Sequence, residues 1–208
     1  MCNQKKRSFR KYHFDHHQFQ GIPGKDVDIP TYFEGTVFGT ILKKLAWIAF
    51  FFVHYTIRPV LLNPKSVTLW EVANVSGVIL YDLFVLWLGG WKALLYTLIS
   101  SALGIGFHPL SGHFIAEHYV FHEKQETYSY YGPLNYFTYN VGYHNEHHDF
   151  PRIPASRLPK VREIASEFYE PLPYHTSWLK VLYDFVTLPV TPCSRVARKT
   201  TFGDKKED

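Results

Sequence analysis

Histidine is the residue type in this chain whose number and spacing point to chemistry. The 208 residues include 12 histidines, against 18 acidic side chains. Six of the histidines form two triplets with the spacing H-x-x-H-H: His13, His16 and His17, and then His144, His147 and His148. On a helix these positions share one face, so we expect the three rings of each triplet to converge on one point. Imidazole binds zinc, copper, iron and nickel, and the triplets therefore predict a metal site.

A further group of histidines lies between the triplets, at the end of an apolar run: His108, His113, His118 and His122. Six imidazoles from the triplets, with one or two from this group, exceed the three or four protein ligands that one zinc ion takes. The chain has only two cysteines, Cys2 and Cys193, and few acids separate the triplets. These counts predict a dinuclear site with an all-nitrogen ligand set. His54 and His175 are isolated and are predicted to be structural.

Three acidic residues stand beside candidate ligands: Asp15, Glu117 and Glu146. Metal-bound histidines commonly donate their second ring N–H to a carboxylate, which fixes the orientation of the ring. We therefore expect these acids to orient histidines rather than to bind the metal. The alternative is that they are ordinary solvated acids.

Three classes of protein compete to explain the triplets. Surface histidines without a function are one class, and a zinc hydrolase or zinc-binding module is another. The zinc class is disfavoured because the sequence has no H-E-x-x-H motif and no cysteine pair. A dinuclear iron oxygenase in a membrane is the favoured class. The formal charge of +4 is too small to indicate nucleic acid, and no nucleic-acid partner is expected.

Three apolar runs between the triplets are the elements that must position them: residues 45–57, 72–88 and 93–107. A bilayer core of about 30 Å needs about 20 helical residues, and the second run approaches that length. Gly89 and Gly90 separate the second and third runs and predict the turn of a helical hairpin. The first run is too short to cross and is predicted to lie in the interface or to re-enter. A soluble protein with a buried hairpin is the alternative, and Asp82 within the second run favours it.

The order of the segments sets the topology. Triplets that share one site must lie on the same side of the membrane, which requires an even number of crossings between them, and the hairpin provides two. Basic residues crowd the triplet side, whereas Lys92 alone marks the hairpin tip, so the positive-inside rule places the triplets in the cytosol. The predicted fold is all-α: an integral membrane hairpin and interfacial helices that carry a cytosolic, histidine-rich helical cap. The predicted regions are 1–40 with the first triplet, 41–107 in the membrane, 108–190 as the cap and 191–208 as a disordered tail.

Several longer stretches resemble a known family. They are YHFDHH at 12–17, DVDIPT at 26–31, GHFIAEHY at 112–119, ETYSYYGPLN at 126–135 and NVGYHNEHHDFP at 140–151. Together with the two histidine triplets, or histidine boxes, these stretches resemble the membrane fatty-acyl desaturase and hydroxylase superfamily. More narrowly, they resemble the sphingolipid Δ4-desaturases, also called dihydroceramide desaturases. The likeness runs from about residue 8 to about residue 186.

The resemblance implies a multi-pass diiron enzyme of the endoplasmic reticulum membrane with its histidine boxes in the cytosol. Such an enzyme uses O₂, and electrons from cytochrome b5 and its NADH-dependent reductase, to convert dihydroceramide to ceramide with a trans C4–C5 double bond. His13, His16 and His17 match the family's second box, and His144, His147 and His148 match the third. His118 resembles an additional ligand, and His113 is a further candidate.

The chain departs from the family pattern at its beginning. The family has a first box, H-x-x-x-H, upstream of the second, but only twelve residues precede His13 and none of them is histidine. We therefore expect an N-terminally truncated chain that lacks two iron ligands and the first membrane hairpin, and whose activity is in doubt. A sphingolipid C4-hydroxylase and a catalytically inactive, lipid-binding membrane paralogue are the alternative functions.

Overall fold

The computed structural model describes residues 8–198, and the regular structure in that range is helical. Within it Tyr130 and His175 form an isolated β-bridge and no strand is present. The prediction of an all-α fold is confirmed. The helices are α1 (Ser8–Phe19), α2 (Tyr32–Val37), α3 (Ile41–Ala49), α4 (Phe51–Leu62), α5 (Leu69–Ile105), α6 (Gly112–Ala116), α7 (His144–Asp149), α8 (Leu158–Ile164), α9 (Ser166–Tyr169) and α10 (Trp178–Thr187). Three short 3-10 helices span Pro109–Ser111, Pro133–Tyr136 and Ala155–Arg157.

Helix α5 is the apolar element of the fold. Within residues 8–198 it is the one helix that is long and apolar enough to cross a membrane, and none of its residues is buried. Its 37 residues would extend about 55 Å if they were straight, well beyond a bilayer core of about 30 Å. The backbone leaves helical geometry at Gly90, which has φ 68° and ψ −175°. Only glycine adopts such a conformation readily, and this is the position at which the sequence predicts the turn.

The segment predicted as one interfacial helix over residues 45–57 is two helices. Helices α3 and α4 meet at Phe50 with a bend of 72°, and together they are apolar enough to form a broken span or a re-entrant loop. Helix α2 precedes them and begins with a capping box, in which Thr31 and Glu34 bond to each other's backbone N–H groups. Glu34 also accepts from the Arg58 guanidinium, at 3.0 Å from Nε and 2.5 Å from Nη2, and so ties α2 to α4.

The hydrophobic core lies where α3, α6 and α10 pack together. Trp47 and Phe185 have no exposed surface, and their ring centroids are 5.6 Å apart. A Cβ atom on Gly112 would lie 2.6 Å from the carbonyl oxygen of Trp178, so glycine permits the close approach of α6 to α10. Lys44 of α3 caps the C-terminal end of α10. Its buried ammonium group donates hydrogen bonds to the carbonyls of Phe185, Val186 and Leu188.

Three further helices form the C-terminal part of the described chain. The stretch 158–170 forms α8 and α9 rather than one helix, and 177–186 corresponds to α10. Of the tail predicted to be disordered, residues 191–198 lie against the histidine-bearing part of the chain: Val120 N donates to Ser194 O, and Arg198 N donates to Gly21 O. The rest of that tail, residues 199–208, lies outside the described residues.

Candidate metal centre

Two helices present the two triplets. Helix α1 is regular for 12 residues and carries His13 at its middle and His16 and His17 in its second half. Helix α7 has only six residues and consists largely of the second triplet, and Phe150 and Pro151 follow it. The segment between α5 and α7 adds His118, which lies in a turn. Three separate segments of the chain therefore supply histidine rings to the candidate site. Rings separated by 134 residues in sequence, those of His13 and His147, have their Nε2 atoms 3.0 Å apart.

The outer cluster consists of His13, His17 and His147. Its three Nε2 atoms form a nearly equilateral triangle, with sides of 3.0 Å (His13 to His147), 3.2 Å (His13 to His17) and 2.9 Å (His17 to His147). All three side chains are partly buried. The ligand atoms of this trio are close enough together to bind one metal ion.

The inner cluster consists of His16, His118, His144 and His148. The Nε2 atom of His118 lies 2.9 Å from Nε2 of His16 and 2.9 Å from Nε2 of His144. Within the described chain, the Nε2 atom of His148 is buried and has no hydrogen-bond partner. His16, His118 and His148 form a second trio able to bind one ion. The two clusters adjoin, because the ring centroids of His17 and His148 are 4.4 Å apart.

The outer triangle cannot be explained by hydrogen bonds among its own members. At each Nε2 atom a neutral ring either donates or accepts, and in a triangle at least one pair must then be two donors or two acceptors. A cation between the three atoms would let all of them act as acceptors. Two nitrogens about 2.0–2.1 Å from one metal ion, at a right angle, are about 3 Å apart, which matches the observed separations. The residues present therefore fit a metal ion in each cluster.

The electrostatics of the rings also fit metal binding. Burial, followed by the neighbouring histidines, lowers the pKa of His17 to about 3. Burial, followed by His13 and His16, lowers the pKa of His147 to about 4. Burial, followed by the charge of neighbouring histidines, also holds the pKa values of His118 and His144 well below the ordinary value. These rings are therefore neutral at physiological pH, and a neutral imidazole has the lone pair that a metal ion needs.

One expectation about the triplets is wrong in detail. The three rings of each triplet do not converge on one point, because His13 and His17 enter the outer cluster whereas His16 enters the inner one. In α7 likewise, His147 joins the outer cluster and His148 the inner one. The spacing i, i+3, i+4 spreads the rings enough to serve two adjacent positions. Each cluster thus takes rings from both boxes, and the middle group contributes His118 to the inner one.

The acids that flank the clusters differ from one another in their contacts. The Asp15 carboxylate pairs with Lys65 and accepts from Asn63 rather than contacting a histidine. Glu117 Oε1 lies 3.7 Å from Nδ1 of His144. Glu146 is fully buried and accepts hydrogen bonds from Ser129 Oγ and Tyr131 Oη, each at 2.7 Å. Glu146 therefore fixes helix α7 rather than a single ring.

The carboxylate that contacts a ring most closely is one that spacing did not single out. Asp26 is buried, and its Oδ1 atom lies 3.0 Å from Nδ1 of His16. Its oxygens also accept from the backbone N–H groups of Gly21 and Asp28. Burial raises the pKa of Asp26, but the hydrogen bond and charge of His16 outweigh burial and hold it below its ordinary value. Asp26 follows His16 by ten positions, across the end of α1 and the loop after it, so no helical spacing could have indicated the contact. The DVDIPT motif was the available signal.

The remaining histidines lie outside both clusters. His113 Nδ1 bonds to Leu110 O at 2.6 Å, and its ring lies on Phe114. His54 stacks on Trp47, and His175 packs against Phe121. These surroundings agree with the structural roles predicted for His54 and His175, and His113 lines the cavity described next.

A largely apolar cavity of about 370 Å³, the reaction cavity, adjoins both clusters. Five cluster histidines lie in its wall: His13, His16, His118, His144 and His147. Apolar side chains that include Phe51, Phe114 and Leu158 form much of the remainder. A cavity of this kind can hold a hydrocarbon segment against a pair of metal ions.

Comparison with known proteins decides the family. Residues 3–178 match the sequence pattern of the family described as fatty acid desaturase. The chain belongs to the fatty acid desaturase family. No solved structure matches it.

The curated relatives include proteins named sphingolipid delta(4)-desaturase DES1 from several species. The Xenopus tropicalis protein is 56% identical over 200 residues, which is 96% of this chain and 62% of that protein. The Homo sapiens protein is 53% identical over 192 residues, or 92% of this chain and 59% of that protein. The Drosophila melanogaster protein is 51% identical over 193 residues, or 92% and 60%. The chain thus spans about three fifths of the length of the curated relatives that it matches. The resemblance to sphingolipid desaturases seen in the motifs is confirmed.

Proposed function

We propose that this chain carries the catalytic region of a sphingolipid Δ4-desaturase, which converts dihydroceramide to ceramide. The observation that carries the proposal is the pair of adjacent histidine clusters in the wall of an apolar cavity, in a chain more than half identical to sphingolipid delta(4)-desaturases. The reaction removes one hydrogen from each of C4 and C5, and O₂ with two electrons and two protons becomes two molecules of water. An unactivated methylene group offers nothing to acid–base catalysis, so a redox cofactor is required.

The residues that would hold this cofactor, a pair of iron ions, are the seven of the two clusters: His13, His17 and His147 for one, and His16, His118, His144 and His148 for the other. Bound there, iron supplies the oxidation of C–H bonds by O₂. We infer a supporting role for Asp26 as the acceptor that orients His16. Glu117 lies beside His144, with Oε1 3.7 Å from Nδ1, too far for a hydrogen bond. Glu146 would act by fixing α7, and His113 would be a cavity residue rather than a ligand.

The protein itself contributes by positioning the hydrocarbon chain of the substrate. Phe51, Phe114 and Leu158 give the reaction cavity an apolar wall that favours a hydrocarbon chain and disfavours water. Because the cavity wall contains rings from both clusters, a methylene group held there would lie beside both clusters. Fixing one pair of carbons in this way accounts for a double bond at one place in a long, uniform chain.

We infer that α5 is a membrane hairpin that turns at Gly90. At its beginning Glu71 pairs with Lys11 of α1 at 2.9 Å, and at its end Gly106 approaches the carbonyl oxygens of Ile48 and Ala49. The roughly 150 other described residues would form a body about 40 Å across. A straight helix of about 55 Å would carry its two ends apart, whereas a hairpin returns both to the body. This topology leaves both clusters on one side, which we propose to be the cytosolic face of the endoplasmic reticulum.

Electrons would come from cytochrome b5 and its NADH-dependent reductase on that same face. Exposed basic residues at the α7–α8 corner, Arg152, Arg157 and Lys160, are suited to an acidic partner. Helices α7 and α8 pack together, so this corner lies beside the second histidine box. None of these three residues lines the reaction cavity. An electron-transfer partner could therefore dock at this corner without entering that cavity.

The test measures iron and product together. The chain purified from iron-supplemented cells should contain about two iron ions, the number that the two clusters accommodate. Membranes containing it, supplied with dihydroceramide, NADH and cytochrome b5, should form ceramide, detected by mass spectrometry, which would also show that the seven cluster histidines suffice without the H-x-x-x-H box. His147→Ala should abolish product, whereas His175→Ala, outside both clusters, should not. A 4-hydroxylated product, or an iron-loaded chain that forms no ceramide, would contradict the proposal.

A further inference from the structure

A second cavity adjoins the reaction cavity on the side of the membrane helix. This side cavity has a volume of about 570 Å³ and lies between α4 and the first turns of α5. Its walls include Val60 of α4, Val67 and Val75, and they are mainly apolar. The side cavity is distinct from the reaction cavity, because none of these three valines lines the reaction cavity.

The two cavities meet at three residues. His13, Asp28 and Tyr55 line both of them. A ligand that filled both would therefore branch beside His13, a member of the outer cluster. Two apolar arms that diverge from one point match a lipid with two hydrocarbon chains rather than one with a single chain.

A carboxylate lies at the branch. The Asp28 side chain is 30% exposed, and its Oδ2 atom is 3.9 Å from Nδ1 of His16, too far for a hydrogen bond. Its backbone is held firmly, because its N–H donates to Asp26 and its carbonyl accepts from Arg195. Within residues 8–198 no hydrogen bond satisfies the carboxylate itself. An acceptor held in place at the junction of two apolar cavities indicates that the ligand brings a hydroxyl or an amide N–H to that point.

Resting on the proposed function, we propose that the side cavity binds the N-acyl chain of dihydroceramide while the sphingoid chain occupies the reaction cavity. Asp28 accepts a hydrogen bond from the C3 hydroxyl or the amide N–H, which lie where the two chains diverge. The chemistry requires this closeness, because C4 is bonded directly to the carbon that bears the hydroxyl. A glycerophospholipid is disfavoured, since its ester groups donate no hydrogen bond and its phosphate is repelled by a carboxylate.

The experiment uses the purified 208-residue chain in detergent micelles and measures the binding of two lipids, N-acetyl and N-stearoyl dihydroceramide. Val75→Trp places a large side chain in the side cavity. It should weaken binding of the N-stearoyl lipid about tenfold, the loss expected when roughly two methylene groups are displaced, and should leave the N-acetyl lipid unchanged. Val78→Trp is the matched control, because Val78 is similarly exposed on α5 and does not line either cavity. It should change neither affinity.

Asp28→Leu tests the branch point. Wild-type chain should bind dihydroceramide at least about tenfold more tightly than an analogue without the C3 hydroxyl and amide N–H, and Asp28→Leu should remove that preference. Iron content should remain unchanged in this variant, because Asp28 is not a member of either cluster.

The outcomes separate this inference from the proposed function. Equal weakening of both lipids by Val75→Trp, or no weakening, would overturn the two-cavity arrangement while leaving desaturation intact. Loss of iron in Asp28→Leu would overturn the hydroxyl or amide contact. A chain that binds no dihydroceramide of either kind would overturn both proposals.

Discussion

The body of the protein and helix α5 differ in what they bury and what they expose. In the body, which comprises the described residues outside α5, the buried set includes His16, Asp26, Glu34 and Glu146. In α5 no residue is buried, although the helix is largely apolar. A soluble fold would not leave such a helix exposed, nor would a single apolar core contain so many charged and polar groups. The chain therefore leaves the apolar residues of α5 exposed and buries charged and polar residues in the body, several of them in or beside the histidine clusters.

The buried acids of the body have partners that compensate for their burial. Asp26 holds His16, Glu34 holds Arg58, and Glu146 holds Ser129 and Tyr131. Such networks are costly when one member is lost, because the remaining partner stays buried without compensation. Substitutions in the body should therefore have large effects, and equivalent truncations on α5 should have small ones.

The largest effect is expected at the centre of the inner cluster. His118→Ala removes the ring whose Nε2 atom lies within 2.9 Å of both His16 and His144. The variant should lose about one of two iron ions per chain and should form no ceramide, because both metal positions are needed for the reaction. Iron analysis and product analysis on the same preparation measure this. His122→Ala, four residues later and outside both clusters, should retain both ions; a similar loss there would show that the region is merely fragile.

The next effect is on stability and comes from the ion pair between α2 and α4. Burial raises the pKa of Glu34, but hydrogen bonds and charge from Arg58 outweigh it and hold the pKa below its ordinary value. Glu34→Gln leaves the Arg58 charge buried and unpaired and should cost about 3–5 kcal/mol in the free energy of unfolding. Thermal unfolding in detergent measures the loss, and Glu163→Gln, in an exposed pair with Lys160, should change it little.

The same pair predicts a dependence on pH. Because the pKa of Glu34 is lower in the folded than in the unfolded chain, its contribution is fully present above the unfolded value. Stability should then fall as the pH falls through the folded pKa. Glu34→Gln should flatten this acid limb of the stability curve; an unchanged limb would mean that another group titrates there.

A smaller effect is expected from the acid that holds His16. In Asp26→Asn the side chain has one acceptor oxygen, and it cannot serve His16, Gly21 and Asp28 as the carboxylate does. Metal affinity at the inner cluster should fall about 10–100-fold, as is typical when an orienting carboxylate is lost. Titration with cobalt followed by absorbance measures it. Asp15→Asn is the matched control, since Asp15 contacts Lys65 and Asn63 instead. Equal effects in the two variants would contradict a specific role for Asp26.

Sequence spacing predicted the elements of the site better than their arrangement. The triplets predicted histidines on helices, which α1 and α7 carry, and Gly89 and Gly90 marked the break in α5, because these signals are local in sequence. The division of each triplet between two clusters was missed, since it depends on how α1 and α7 face each other across 134 residues. Asp26 was missed for the same reason: it reaches His16 through a loop, where no helical period applies. The bend at Phe50 has no proline or glycine at that position to signal it.

The smallest effect is expected on α5 itself and completes the comparison. Leu80 is 66% exposed and Phe185 is fully buried. In detergent Leu80→Ala should leave the unfolding temperature almost unchanged, because detergent replaces lipid around the side chain, whereas Phe185→Ala should cost about 3–5 kcal/mol. Thermal unfolding of the two variants side by side measures the difference. If Leu80→Ala proved as damaging as Phe185→Ala, α5 would have to pack against protein rather than lipid, and the proposed membrane hairpin would be contradicted.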